Sequence, residues 1–184
     1  MMNANSASSI CKLTLARSTV VRSSVKIRPW TSGYIPARFD VTDVLRPGGK
    51  NTLAVRCNAS LREGWWYEGC GIYRAVRLHI TDNAFIISDG LFAEATDITP
   101  AAASVRVQTT IANRGDADSL IVATTIRDLT GNIVASVQSK PQLIHRDQEI
   151  EWSEDLIIEN PTLWCPEHPA LYSVESHLIR QQDR

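Results

Sequence analysis

Four residues in one short segment carry side chains suited to binding chemistry. Residues 64–74 read GWWYEGCGIYR, so Trp65, Trp66 and Tyr67 offer flat apolar rings directly before the carboxylate of Glu68. Sugar rings stack their C–H faces on such aromatic side chains, while carboxylates accept hydrogen bonds from the sugar hydroxyl groups. The three glycines of the segment disfavour a helix and permit a tight corner. We therefore expect a loop in which these four residues bind carbohydrate or, alternatively, fill a gap in the fold.

Acidic residues are the other candidates, because acid–base catalysis commonly uses a pair of carboxyl groups. In the alternating segment EIEWSEDLIIE, Glu149 and Glu151 share the solvent side of a predicted strand, where a rigidly held catalytic pair is not expected. We therefore do not expect Glu149 and Glu151 to form a catalytic pair. The acids considered are Glu63, Glu68, Glu94, Glu149, Glu151, Glu154 and Asp155.

Composition and residue spacing argue against several classes of function. The 184 residues include 19 Lys and Arg against 20 Asp and Glu, without a basic stripe, so nucleic acid is not expected as a partner. No run approaches the roughly 18 apolar residues of a membrane-spanning helix, so no membrane is expected either. The four cysteines and four histidines lack the close spacing of metal ligands, and no phosphate-binding loop is present. We predict no metal and no other cofactor.

The N-terminal segment, residues 1–19, is rich in Ser and Ala and contains no acidic residue. It lacks the apolar core of a secretory signal, although its composition also fits an organellar transit peptide. We expect residues 1–19 to be poorly ordered and the chain to be soluble, with a cytoplasmic location favoured over secretion.

From Val20 onward, apolar residues recur with the period of two that indicates β-strands. Turn residues separate the strands, among them Asp89-Gly90 and the hairpin segment at residues 128–132. We predict an all-β chain that divides near residues 82–84. Residues 20–82 hold three or four strands, and residues 84–180 hold the seven strands of an immunoglobulin-like β-sandwich.

Large aromatic residues of the second half lie where a sandwich needs core or edge side chains. We expect Trp152, Trp164 and Tyr172 to pack within the fold rather than to bind a ligand.

Several motifs in matching order resemble those of glycoside hydrolase family 2, the β-galactosidase family. Residues 39–42 (FDVT), the strand at 53–57 (LAVRC) and the loop at 66–74 (WYEGCGIYR) are similar to the end of that family's sugar-binding jelly-roll domain. Downstream, VQTTIAN, DLTGNIV and NPTLWCPEHPALYSV are similar to its immunoglobulin-like second domain. The resemblance covers about residues 33–178.

The resemblance implies that residues 20–82 are the C-terminal part of a jelly-roll domain. In the family, the catalytic carboxylates lie in a barrel that follows the sandwich, and this chain stops before it. The implied role is therefore a non-catalytic scaffold that shapes the sugar site of a β-galactosidase-like enzyme. The expected partners are the catalytic barrel, the remaining jelly-roll strands and, through the parent enzyme, a β-glycoside.

A stand-alone carbohydrate-binding or adhesion module is the alternative function, with residues 65–68 as its binding loop. In either case, a jelly-roll portion this small exposes sheet edges and apolar surface, so a homo-oligomer is a further expectation.

Overall fold

The computed structural model describes residues 10–16, 20–21, 36–53, 55–56, 72 and 75–181. It divides the chain into two compact units, Met1–Asp82 and Asn83–Arg184. All regular structure among the described residues is β-strand, and every strand pair is antiparallel. The prediction of an all-β chain is therefore confirmed.

The first unit contains a three-stranded sheet in the order β3-β1-β5 and a short pair, β2 with β4. Its strands are β1 (Ile10–Ala16), β2 (Val20–Val21), β3 (Pro36–Asp40), β4 (Val55–Arg56) and β5 (Arg77–Thr81). After β3, the Asp40 carboxylate accepts hydrogen bonds from the backbone N–H and the hydroxyl of Thr42. The assignment of this unit to a jelly roll stays a prediction.

Residues 10–16 form the central strand β1 of the first sheet. The expectation of a poorly ordered N-terminus over residues 1–19 stays a prediction. The register places Leu13 opposite Phe39 on one side and Leu78 on the other. Cys11, Leu13 and Leu15 alternate with Lys12 and Thr14, which is the period of a strand. The Ser- and Ala-rich residues around this short stretch obscured its alternation.

The second unit is a sandwich of two antiparallel sheets. One sheet has the order β11-β7-β6; in the other, β8 pairs with β12 along one edge and with β9 and β10 along the opposite edge. Its strands are β6 (Ala84–Ile98), β7 (Ala102–Asn113), β8 (Asp118–Arg127), β9 (Ile133–Gln138), β10 (Gln142–Ile144), β11 (Glu149–Glu159) and β12 (Ser173–Arg180). The predicted hairpin at residues 128–132 is confirmed, since it joins β8 to β9.

Alternation along the strands places the apolar residues between the two sheets, in two clusters. Val105 and Val107 of β7 pack near the end of β8 with Ile126, while Ile111, further along β7, packs against Leu120 and its neighbours. Burying such side chains is the main favourable contribution to folding. The members of the two clusters are Val105, Val107, Ile126, Leu156 and Ile158, and Ile111, Leu120, Val122 and Ile144.

The predicted turn at Asp89-Gly90 is instead an irregularity inside the single strand β6. Its pairing with β7 shifts between Ile86 and Leu91, and Asp89 adopts a positive φ of 60°. A Cβ on Gly90 would lie 2.5 Å from the Ile87 side chain, so a glycine is needed there. The chain therefore bulges without reversing its direction.

A chain of polar side chains separates the two apolar clusters and connects the two sheets. Thr109 of β7 donates a hydrogen bond to Ser176 of β12 over 3.4 Å, and the hydroxyls of Ser176 and Thr124 of β8 lie 3.1 Å apart. Thr124 in turn hydrogen-bonds to the carboxylate of Glu154 on β11. Because buried hydroxyl groups need partners, this network favours one relative position of the two sheets.

Asn113, at the end of β7, holds three segments of the sandwich together. It is 1% exposed, and its Nδ2 donates to the carbonyl oxygens of Asp116 (2.7 Å) and Ile144 (3.0 Å). Its Oδ1 accepts from the backbone N–H of Gly115 at 2.9 Å. The side chain thus binds both the turn after β7 and the end of β10.

We expect Asn113→Ala to lower the free energy of unfolding by about 2 to 3 kcal/mol, because it leaves buried backbone groups without partners. Asn132→Ala is the control, since the side-chain hydrogen bonds of Asn132 are exposed, and it should cost less than about 1 kcal/mol. Urea unfolding followed by circular dichroism measures both values. Equal losses in the two variants would contradict the structural role of Asn113.

Candidate functional surface

The predicted carbohydrate-binding residues Trp65, Trp66, Tyr67 and Glu68 lie outside the described residues. Their role in sugar binding stays a prediction.

The acids on the outer face of the β6-β7-β11 sheet are engaged in contacts between strands. Glu149 and Glu151 are exposed, as the alternation predicts, and Glu94 lies opposite Arg106 in the register. Such pairs between neighbouring strands stabilise a sheet by small amounts and do not form a site around a substrate. The contacts are Arg106 Nε to Asp155 Oδ1 (3.0 Å), Gln108 Nε2 to Glu151 Oε1 (3.0 Å) and Arg114 Nη2 to Glu149 Oε2 (3.7 Å).

Glu154 differs from its neighbours because it faces the opposite sheet. It shares the inner face of β11 with Trp152 and Leu156, and it is half-buried. Burial raises the pKa of the Glu154 carboxyl, while hydrogen bonds from Thr124 and Trp152 act in the opposite direction. The alternation of β11 indicates this inward orientation of Glu154, since residues 152, 154, 156 and 158 share one face of the strand. Glu154 is thus a half-buried carboxyl group on the inner face of β11, hydrogen-bonded to Thr124 and Trp152.

One end of the sandwich carries an exposed apolar surface, which we call the apolar end. There β6, β8 and β11 finish and β7, β9 and β12 begin, around the cluster that contains Val105 and Ile126. The exposed side chains of the apolar end are Ile98, Leu129, Ile133, Ile157, Leu163, Trp164 and Leu171.

Trp164 corrects the prediction that all three large aromatic residues pack within the fold, because its side chain is 59% exposed. Trp152 and Tyr172 do pack against the two apolar clusters. Trp164 instead lies in the irregular segment between β11 and β12, which contains Pro161, Pro166 and Pro169. Prolines prevent this segment from pairing as a strand, and that sequence signal indicates a surface position.

Hydrogen bonds fix the loops of the apolar end. The backbone N–H of Asn160 donates to the carbonyl oxygen of Ala101 (2.8 Å), and the N–H of Thr162 donates to the Tyr172 hydroxyl (2.8 Å). In the hairpin at residues 128–132, the Asp128 carboxylate accepts hydrogen bonds from Thr130 and Asn132, which lower its pKa. The apolar side chains are thus presented on an ordered framework.

The part of the chain that the structure describes contains no group of three or more His, Cys, Asp or Glu residues arranged to hold a metal ion. Within the same residues, no helix has the length and apolar character needed to cross a bilayer.

Comparison with known proteins identifies the family. The model of the family described as glycosyl hydrolases family 2 matches residues 87–184. The chain belongs to glycosyl hydrolase family 2. This confirms the resemblance that the sequence motifs indicate.

Relatives of this family 2 chain include glycosidases of two specificities. It is 30% identical over 162 residues to the β-galactosidase BoGH2A of Bacteroides ovatus, covering 87% of this chain and 19% of the relative. It is 29% identical over 167 residues to a β-glucuronidase of Formosa agariphila, covering 79% of this chain and 17% of the relative. The chain thus spans about a fifth of the length of these relatives.

A solved structure supports the fold of the family 2 chain. It is that of a glycosyl hydrolase family 2 member from Bacteroides cellulosilyticus, with a TM-score of 0.84 and 28% sequence identity. The match covers 96% of this chain and 25% of that chain.

We expect Glu154→Gln to raise the melting temperature of the family 2 chain at neutral pH. Since the pKa of Glu154 is raised above its ordinary value of 4.5, the folded state binds this proton more tightly than the unfolded state does. The wild type therefore loses stability as the pH rises from the unfolded pKa through the raised folded pKa, and the amide variant avoids this loss.

Thermal unfolding at a series of pH values checks this prediction. The wild type and the variant should have the same melting temperature below about pH 3.5, where the Glu154 carboxyl is protonated in both the folded and the unfolded state. Above that pH their melting temperatures should diverge. Glu159→Gln, at an exposed position of the same strand, should follow the wild type. A constant difference across the whole pH range would show that the charge of Glu154 is not responsible.

Proposed function

We propose that this chain is a non-catalytic, structural region of a family 2 glycosidase. In this role it holds other parts of the polypeptide in place and shapes one wall of the sugar site. The expected partners are the catalytic barrel, the remaining strands of the jelly-roll domain and, through the whole enzyme, a β-glycoside.

One observation carries this proposal: the match spans 87% of this chain but only 19% of a glycosidase relative. Such a region contributes to the enzyme by holding other parts of the polypeptide in place. The described acids support this role, because those of the outer face contact neighbouring strands and Glu154 belongs to the sandwich interior. Retaining glycosidases instead hold two carboxyl groups about 5 to 5.5 Å apart on either side of the scissile bond.

The relatives bear the names of β-galactosidases and β-glucuronidases. We propose a β-galactoside as the substrate of the whole enzyme. The β-galactosidase of Bacteroides ovatus, at 30% identity, supports this choice.

A hybrid enzyme tests the structural role. This chain replaces the matched region of the Bacteroides ovatus β-galactosidase, and the control is the same enzyme with that region deleted. We expect the hybrid to hydrolyse a nitrophenyl galactoside within about tenfold of the parent enzyme, a loss of about 1.4 kcal/mol in transition-state stabilisation. The deleted enzyme should be inactive or aggregated. Equal activity of the hybrid and the deleted enzyme would contradict the proposal.

A stand-alone carbohydrate-binding or adhesion module is the second candidate. The composition of residues 65–68, three aromatic rings beside one carboxylate, favours it.

Titration of the purified chain with galactose, lactose and glucuronic acid distinguishes the two functions. A structural region should show no saturable change in tryptophan fluorescence up to tens of millimolar sugar, because its site is completed by other parts of the enzyme. The double variant Trp65→Ala/Trp66→Ala is the control. A saturable change that is lost in this variant would support the binding module.

A further inference from the structure

We propose that ionised Glu154 fixes the direction of a chain of hydrogen bonds through the sandwich interior, and that protonation removes the charge that fixes it. The chain runs from Thr109 through Ser176 and Thr124 to Glu154. It therefore forms a pH-sensitive link between the two sheets. This inference concerns the interior of the second unit and does not rest on the function proposed above.

The four side chains come from four strands and from both sheets. Glu154 belongs to β11 and Thr109 to β7, whereas Thr124 of β8 and Ser176 of β12 are register partners in the other sheet. Thr109 and Thr124 are 2% and 1% exposed. Glu154 is only half-buried, so its carboxyl can exchange a proton with solvent. The chain thus connects a group that solvent can titrate to hydroxyl groups in the interior.

The direction of the chain follows from what each group can donate. An ionised carboxylate only accepts hydrogen bonds, and each hydroxyl has a single proton to donate. Thr124 therefore donates its proton to Glu154, and its oxygen is left to accept from Ser176, whose hydroxyl lies 3.1 Å away. The Ser176 oxygen accepts from Thr109, which is the donor over 3.4 Å. The geometry at the far end of the chain thus has the direction that a charge at Glu154 requires.

No second charged side chain faces Glu154 from the described strands packed against it. The inward residues of β7 and β9 are apolar or carry hydroxyl or amide groups. The inner sides of β8 and β12 carry Asp118 and Arg180 at the end of the sandwich opposite the apolar end, where the two pair at 2.7 Å. Between the sheets there is also the phenol of Tyr172, which packs against the cluster around Val105. The charge to which the chain responds is therefore that of Glu154.

Burial and the chain act on Glu154 in opposite directions. Burial raises the pKa of its carboxyl, whereas the hydrogen bonds from Thr124 and Trp152 lower it. Hydrogen bonds to an ionised group are stronger than those between neutral groups, and each link polarises the next. The links between the sheets are therefore strongest while Glu154 is ionised. Since burial has the larger effect, the chain reduces the loss of stability on ionisation without reversing it.

NMR of the purified chain tests this link without any substitution. In a titration from about pH 3 to pH 8, the carboxyl carbon of Glu154 reports ionisation. The Cβ carbons of Thr124, Ser176 and Thr109 report the hydrogen bonding of their hydroxyl groups, and we expect all three to titrate with the midpoint of Glu154. Ser139 is the control and should not follow this midpoint, because its hydroxyl bonds to backbone groups.

Two substitutions distinguish a chain from a single hydrogen bond. Thr124→Val should lower the acid dissociation constant of Glu154 by about fivefold, as expected for the loss of one hydrogen bond. Ser176→Ala removes the middle hydroxyl, so it should also move the midpoint of Glu154 to higher pH and abolish the response of Thr109. Ser139→Ala is the matched control, since it removes a serine hydroxyl outside the chain, and it should leave the midpoint unchanged.

Each outcome supports or overturns the proposal. A midpoint of Glu154 that moves in Thr124→Val but not in Ser176→Ala would leave one hydrogen bond in place of a chain. An equal shift in Ser139→Ala would show a general response to the loss of a hydroxyl group, and it would also overturn the proposal. If a variant does not fold, the wild-type titration decides, because Ser176 and Thr109 signals that do not follow Glu154 overturn the link directly.

Discussion

The structure of the second unit depends on the burial of every second residue along its central strand. From Ala103 to Asn113, the odd-numbered residues of β7 are buried between the sheets. The same strand pairs with β6 on one side and β11 on the other, so a shift by one residue would break both ladders and turn the apolar residues to solvent. The register of the whole sheet follows from this one constraint, and so do the positions of the acids on its outer face.

Polar groups inside the sandwich add specificity that apolar packing alone does not provide. Hydrophobic contacts are non-directional, whereas the hydroxyls of Thr109, Ser176 and Thr124 need partners at defined positions. The bulge at Asp89-Gly90 has a comparable role within β6. The register with β7 shifts there, and the strand continues in the same sheet on both sides of the shift. Such features fix the relation between strands that lie far apart in the sequence.

Membership in glycosyl hydrolase family 2 and the geometry of the sandwich lead to a consistent account of function. Ion pairs and hydrogen bonds across strands engage Glu149, Glu151 and Asp155 of the outer face, and Glu154 is half-buried on the inner face. The apolar end, by contrast, has exposed side chains on ordered loops. The loops of the apolar end thus present their apolar side chains on a framework that hydrogen bonds hold in place.

The sequence by itself determined the all-β class, the strands of the second half other than β6, and the family. Alternation is a local property that follows from the backbone geometry of a strand, so segments such as residues 149–159 could be recognised without a structure. The same pattern also placed Glu149 and Glu151 on the solvent side. The alternation of residues 10–16 was present too, but it was too short to stand out from the Ser- and Ala-rich residues around it.

Only the tertiary structure decided the surroundings of several residues whose local sequence pattern predicted something else or left the question open. Trp164 has the large aromatic side chain typical of a core residue, yet it is exposed because it lies in a loop at the end of the sandwich. Asp89-Gly90 has the composition of a turn, yet pairing with β7 on both sides of it keeps the strand continuous. The raised pKa of Glu154 likewise arises from its burial against the opposite sheet. Each of these outcomes depends on contacts between residues distant in the sequence, which local patterns indicate but do not determine.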